Sequence, residues 1–284
     1  MTINIKGELI DLSKPKIMGI LNLTPDSFYD GGKYNKIENA LFQTEKMLNA
    51  GAYFIDLGAC STKPGAKTVS VEVEKKRLLP VLEKLIKTYP ETHFSIDTFR
   101  STIAAEGLDR GAAMVNDISG GQFDNKMMDT IGYYNVPYIL THTSGKPKIM
   151  QKNPQYKNIV KEVIYYFSKK IQLAYKAGIN DIIIDPGFGF GKTTTHNYEI
   201  LKNLKLFQNF ELPLMIGLSR KSMIYKKLGI SPNEALNGST ALHSVALLKG
   251  ANILRVHDVK QAKECIDLLL SLIHISEPTR RYAI

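Results

Sequence analysis

The chain has 284 residues, of which 44% are apolar and 23% charged, the proportions of a globular protein with one large domain or two small ones. No apolar run approaches the roughly 20 residues of a membrane span, and the opening MTINIKGELIDL lacks the apolar core of a signal peptide. Two cysteines, Cys60 and Cys265, cannot build a disulfide framework, and no C-x-x-C or H-E-x-x-H spacing offers a zinc site, so a cytoplasmic globular protein is expected. The net charge of +10 is spread along apparent helix faces (Lys75, Lys76, Arg77, Lys84, Lys87) without an arginine-rich arm or a run of like charges. Such a balance suits anionic small molecules; neither nucleic acid nor a membrane is expected as a partner.

In chain order, residues 2–12 read as a short extra hairpin. Apolar or β-branched runs follow at 17–21, 54–57, 94–97, 114–117, 138–142, 182–185, 214–217 and 253–256. Between them lie amphipathic patterns at helical spacing, at 37–50, 71–88, 158–177, 197–203 and 239–249. Alternation of buried-looking strands with helices predicts a parallel sheet, and eight such units in one chain predict a single (β/α)8 TIM barrel behind an N-terminal β-hairpin. The stretch LSLIHISEPTR (270–280) resembles the translated end of a sequencing-library adapter. Residues 1–269 are therefore read as one domain, and 270–284 as a non-native tail.

The predicted strands end in Asn22, Asp56, Asp97, Asn116 with Asp117, His142, Asp185, Ser219, and Arg255 with His257. One polar residue at a strand end is ordinarily a cap or turn former. A polar residue at nearly every end predicts a polar small-molecule pocket, because all eight carboxyl ends of such a barrel open onto one face. The run GFGFGKT (187–193) is not a phosphate-binding P-loop: Pro186 stands where the first glycine is needed. Nor is it a dinucleotide fingerprint, since Lys192 replaces the third glycine. It reads as a turn with backbone room beside a flat ligand, punctuated by Phe188 and Phe190.

Five motifs in fixed order carry a resemblance. MGILNLTPDSFYDGG (18–32), SIDTFRSTIAAEGLDRGAAMVNDISGG (95–121), DPGFGFGKTTTHNYEILKNL (185–204), PLMIGLSRKSMI (213–224) and LRVHDV (254–259) together resemble the dihydropteroate synthases, pterin-binding enzymes of folate biosynthesis. The resemblance implies a transferase that joins 6-hydroxymethyl-7,8-dihydropterin diphosphate to 4-aminobenzoate, releasing diphosphate and 7,8-dihydropteroate by an SN1-like path. Carried onto this chain, it implies a pterin slot of Asp97, Asn116, Asp185 and Lys221, with Asp97, Lys221 and Asp185 as the catalytic set. It implies a diphosphate subsite of Asn22, Lys63, Arg255 and His257, and an aminobenzoate subsite of Phe28, Thr62, Pro64, Phe190 and Ser222. Mg2+ on Asn22 is the implied cofactor, and a homodimer through the last barrel helices the implied assembly.

Two places depart from the family pattern. DLGACSTKPGA (56–66) carries Cys60 where a glutamate is usual and Lys63 where an arginine is, a point charge in place of a planar fork. THTSGKPKIMQ (141–151) lacks the methionines that usually flank the histidine. The rival readings are a pterin-dependent methyltransferase and a non-catalytic pterin-binding paralogue on the same fold.

Overall fold

The computed structural model describes residues 1–24, 33–60, 69–145 and 154–275. A two-residue turn at Lys6 and Gly7, both with positive φ, joins β1 (Thr2–Ile5) to β2 (Glu8–Asp11) as an antiparallel hairpin. Eight parallel strands follow: β3 (Lys16–Asn22), β4 (Phe54–Gly58), β5 (His93–Asp97), β6 (Met114–Asp117), β7 (Tyr138–Thr141), β8 (Ile182–Asp185), β9 (Met215–Ile216) and β10 (Ile253–Val256). Their order, β8-β7-β6-β5-β4-β3-β10-β9, is that of a barrel, and one parallel bridge from Ile184 to Leu214 joins the two ends. The predicted (β/α)8 barrel and its N-terminal hairpin are both present. β9 is the exception in length, with two residues against the four read at 214–217, because Leu214 makes only that bridge and Gly217 turns out of the ladder.

The helices are α1 (Lys33–Asn49), α2 (Val71–Thr88), α3 (Ser101–Asp109), α4 (Met127–Tyr134), α5 (Ile159–Lys176), α6 (Thr194–Lys202), α7 (Ser222–Leu228), α8 (Leu236–Leu248) and α9 (Val259–Ile275). Side-chain caps start several of them. Ser70 Oγ accepts from Val73 N, Asn158 Oδ1 from Lys161 N, and Thr193 forms a capping box with His196. That box explains why α6 begins three residues earlier than its apolar pattern. α9 runs unbroken past residue 269, and both Leu269 and Leu270 pack against the core. Among the described residues no helix is long and apolar enough to cross a membrane.

Two apolar layers hold the barrel. The larger lies between strands and helices, with Ile55, Leu57, Phe94, Ile96, Leu140, Ile184, Leu254 and Val256 facing outward. The smaller fills the barrel itself: Met18, Phe54, Met114, Ile139, Ile183, Met215 and Ile253, closed from below by Ile3, Ile5 and Ile10 of the hairpin and by Leu12. None of these inner residues is more than 2% exposed, so the hairpin is the floor of the barrel.

Candidate active site

Side chains alternate along a strand, so the residue two positions beyond each inner apolar residue points the same way, one layer higher. From Phe54, Met114, Ile139, Ile183, Met215 and Ile253 that step reaches Asp56, Asn116, Thr141, Asp185, Gly217 and Arg255. β5 adds Ser95 and Asp97. An apolar floor thus carries a polar layer at the carboxyl ends of the strands, where barrel sites are built.

The layer is bonded around two cations. Arg255 Nε donates to Asp56 Oδ2 at 2.6 Å, and its Nη2 to Asp97 Oδ2 at 2.7 Å. Asn116 Nδ2 donates to the same Asp56 oxygen at 2.8 Å. Lys221 Nζ donates to the Phe188 carbonyl at 2.5 Å and stands 4.7 Å from the centroid of the Phe190 ring. Asp185 Oδ1 accepts from Gly187 N at 2.8 Å. Two glycines leave the space between these groups open. A Cβ on Gly217 would lie 3.7 Å from Lys221 Nζ and 3.9 Å from both Asp185 Oδ2 and Arg255 Cβ. One on Gly58 would lie 3.5 Å from Asp97 Oδ2 and 3.7 Å from Asn22 Oδ1.

Five buried oxygens of this layer, Asp56 Oδ1, Ser95 Oγ, Asp97 Oδ1, Asn116 Oδ1 and Thr141 Oγ1, have no hydrogen-bond partner among the described residues. Buried polar atoms are normally satisfied, and a cluster of exceptions suits a ligand edge rich in N–H donors. Burial pushes Asp97 above the ordinary carboxylate range, with Arg255 pulling back and Asp56 adding to the rise. Burial raises Asp185 as well, against the pull of Lys221. The same desolvation lowers Lys221 to about 8, although Asp185 favours its charged form. Arg255 keeps its proton because Asp56 and Asp97 outweigh the cost of burying it.

The rim lies around this layer. His257 follows Arg255 by two residues and is exposed; its backbone N–H donates to Ser219 Oγ at 3.3 Å. Arg220, in the left-handed region at φ 52°, makes a bidentate pair with Asp258 at 2.8 and 2.9 Å, and its N–H donates to Ser239 Oγ at 2.9 Å. Ser219 and Arg220 thereby tie the start of α7, with Lys221 and Ser222, to the end of β10. Asn22 and His257 flank a groove of about 460 Å³ that also takes Lys46 and Lys260.

Of the residues singled out from the sequence, Asp97, Asn116, Asp185, Lys221 and Arg255 meet in the polar layer, while Asn22, His257, Phe190 and Ser222 stand around it. Arg255 sits deeper than a purely phosphate-binding role suggests, with its guanidinium engaged by two carboxylates. Phe28, Thr62, Lys63 and Pro64 lie outside the described residues. Asp56 and Thr141 were not given site roles from the sequence; the signal for each was its position two residues past a barrel-filling apolar side chain. For Mg2+, Asn22 offers one side-chain oxygen at the mouth. Among the described residues no group of three His, Cys, Asp or Glu could hold a metal, so the donor set fits only an ion that draws most ligands from phosphate and water.

Comparison with known proteins gives a consistent picture. A family model described as "Pterin binding enzyme" matches residues 18–257. The dihydropteroate synthase of Escherichia coli K12 is 41% identical over 282 residues, covering 99% of each chain. The Yersinia pestis dihydropteroate synthase, solved with a sulfonamide drug complex, superposes with a TM-score of 0.90 at 39% identity, covering 97% of this chain and all of that one. The Xanthomonas albilineans dihydropteroate synthase has been solved with 4-aminobenzoic acid and with 7,8-dihydropteroate. Those structures superpose with TM-scores of 0.90 and 0.86 at 34% and 32% identity, each covering 98% of this chain and 99% or more of theirs.

Proposed function

The chain belongs to the pterin-binding enzyme family, and from that premise we propose that it is a dihydropteroate synthase. It is a transferase that condenses 6-hydroxymethyl-7,8-dihydropterin diphosphate with 4-aminobenzoate to give 7,8-dihydropteroate and diphosphate. The observation that carries this reading is the meeting, in one buried layer, of Asp97, Asn116, Asp185 and Lys221, read as a pterin set from three separate motifs. In this reading the carboxylates accept from the N–H edge of the pterin and Lys221 donates to its carbonyl.

The chemistry asks little of a general base, because an aniline nitrogen is neutral at pH 7. Departure of diphosphate is the demanding step. His257 and the free face of Arg255 receive the developing negative charge, and Lys63 belongs to the same subsite. Asp97, excluded from water, stabilises the positive charge that grows on the pterin methylene along a dissociative path. Asn22 would hold Mg2+, which supplies further neutralisation of the leaving diphosphate when bound. Phe190 stacks on the aminobenzoate ring, with Phe28 and Pro64 assigned to the same walls and Thr62 and Ser222 to its carboxylate. Exposed Leu248 on α8 and Leu268 on α9 support a homodimer through those helices, and a cytoplasmic location completes the reading.

The test is an assay of the purified chain with both substrates and Mg2+, following dihydropteroate and diphosphate together. Stoichiometric release of both products is expected. Diphosphate release distinguishes this reaction from methyl transfer, and turnover distinguishes it from pterin binding alone. Asp185→Asn should lower kcat/KM for the pterin substrate by about tenfold or more while the fold persists, since an amide N–H beside Lys221 leaves buried donors unpaired. No product from the folded wild type would reject the proposal.

A further inference from the structure

Lys192 follows the glycine-rich turn and is only 3% exposed, yet no carboxylate among the described residues pairs with it. Its Nζ donates to three backbone carbonyls: Gly187 at 2.9 Å, Phe190 at 3.0 Å and His142 at 3.2 Å. It also stands 2.8 Å from His142 Nδ1, and that ring packs edge-on against Tyr166. A buried amine usually seeks an acid; this one instead gathers main-chain oxygens from two neighbouring strand ends.

The remaining bonds of the turn converge on the same centre. Tyr156 Oη donates to the Gly191 carbonyl at 2.9 Å, Ser144 Oγ to the same oxygen at 3.2 Å, and Gly189 N to Asn197 Oδ1 at 2.8 Å. Gly187, at φ 70°, passes so close to β7 that a Cβ there would lie 2.0 Å from the His142 carbonyl. The turn is a rigid cradle rather than a flexible connection. Its outward-facing groups all belong to the polar layer or its rim. Gly187 N holds Asp185, the Phe188 carbonyl holds Lys221, and the Phe190 ring lies against the same ammonium.

We propose that Lys192 is a positioning residue for the synthase reaction: its amine, by gathering the Gly187, Phe190 and His142 carbonyls, fixes the Phe190 ring and the Phe188 carbonyl, and through them Lys221. The inference rests on the synthase reading. Losing the hub frees the turn, so Phe190 no longer presents a fixed face to aminobenzoate and Lys221 loses its acceptor. Among the described residues the side-chain bonds of Arg255 go to Asp56 and Asp97 and those of His257 to Ser219, none of them in the turn, so diphosphate binding is unaffected.

The experiment compares wild type, Lys192→Met and Tyr156→Phe in steady-state kinetics with both substrates, alongside calorimetry of inorganic diphosphate with Mg2+. Lys192→Met keeps the apolar length without the hydrogen-bonding amine. It should raise the KM for aminobenzoate about tenfold and lower kcat, with diphosphate affinity within about twofold of wild type. Tyr156→Phe removes one outer tie of the same turn and should raise that KM about threefold with kcat nearly unchanged, which carries the test if Lys192→Met fails to fold. A folded Lys192→Met with unchanged KM, or a loss confined to kcat as from a smaller active fraction, overturns the inference and leaves the synthase reading standing. If Lys192→Met does not fold, an unchanged KM in Tyr156→Phe overturns it. An inactive wild type overturns both.

Discussion

At the residue scale the polar layer is short of positive charge. Asp56, Asp97 and Asp185 face Arg255 and Lys221, and Arg255 is already engaged by two of the three carboxylates. Lys221 is therefore the cation whose protonation state the site can change near neutrality. Its pKa is lowered to about 8 by burial, so it is charged at pH 7 and loses its proton as pH rises through 8. The charged form donates to both the Phe188 carbonyl and the ligand. We expect kcat/KM for the pterin substrate to decline tenfold per pH unit above about pH 8, an alkaline limb well below an ordinary lysine's. A pH–rate profile level to pH 10 would remove Lys221 from the essential groups.

At the element scale the start of α7 depends on partners far along the chain. Arg220 adopts a backbone conformation that ordinary side chains avoid, and Asp258, Ser239 and the Pro232 and Asn233 carbonyls hold it there. The pair is partly exposed, so its worth in stability is modest, but it decides where Lys221 and Ser222 point. Arg220→Ala and Asp258→Ala should each raise the KM for aminobenzoate several-fold, and the double variant should cost no more than either alone. Additive losses in that double-mutant cycle would show that the two residues act independently.

Elements of this kind mark the limit of what the primary structure reveals. The parallel strands were legible because burial on both faces leaves continuous runs such as IIID in β8 and ILRV in β10. Asp97, Asn116 and Asp185 were legible because nearly every strand run closes on a polar residue and because all three fall inside the motifs that carry the family resemblance. Lys192 and Arg220 were not, since their partners are main-chain oxygens or a carboxylate 38 residues distant, which no local pattern encodes. β9 was overread for the converse reason: its apolar run is real, but only two of its residues find ladder partners. Thr141 was passed over because a threonine at a strand end is unremarkable until its hydroxyl is found buried and unbonded.

At the scale of the whole molecule, the packed floor of the barrel decides how traffic runs. With Met18, Phe54, Met114, Ile139, Ile183, Met215 and Ile253 filling the barrel, and Ile3, Ile5, Ile10 and Leu12 packed beneath them, the polar layer is the base of a well that opens at the carboxyl ends of the strands. The pterin groups lie at the bottom of that well, while Phe190 and Ser222 stand at its lip. Whatever settles at the lip obstructs what must go deeper. Pterin diphosphate therefore has to arrive before aminobenzoate, and dihydropteroate, occupying both depths, has to clear the mouth before the next pterin can descend. Product inhibition should be competitive towards pterin diphosphate and noncompetitive towards aminobenzoate; the reverse assignment would mean that the well has a second entrance. The packed apolar floor of the barrel, with the hairpin backing it, thus imposes a sequence in time on a reaction whose atoms all lie above it.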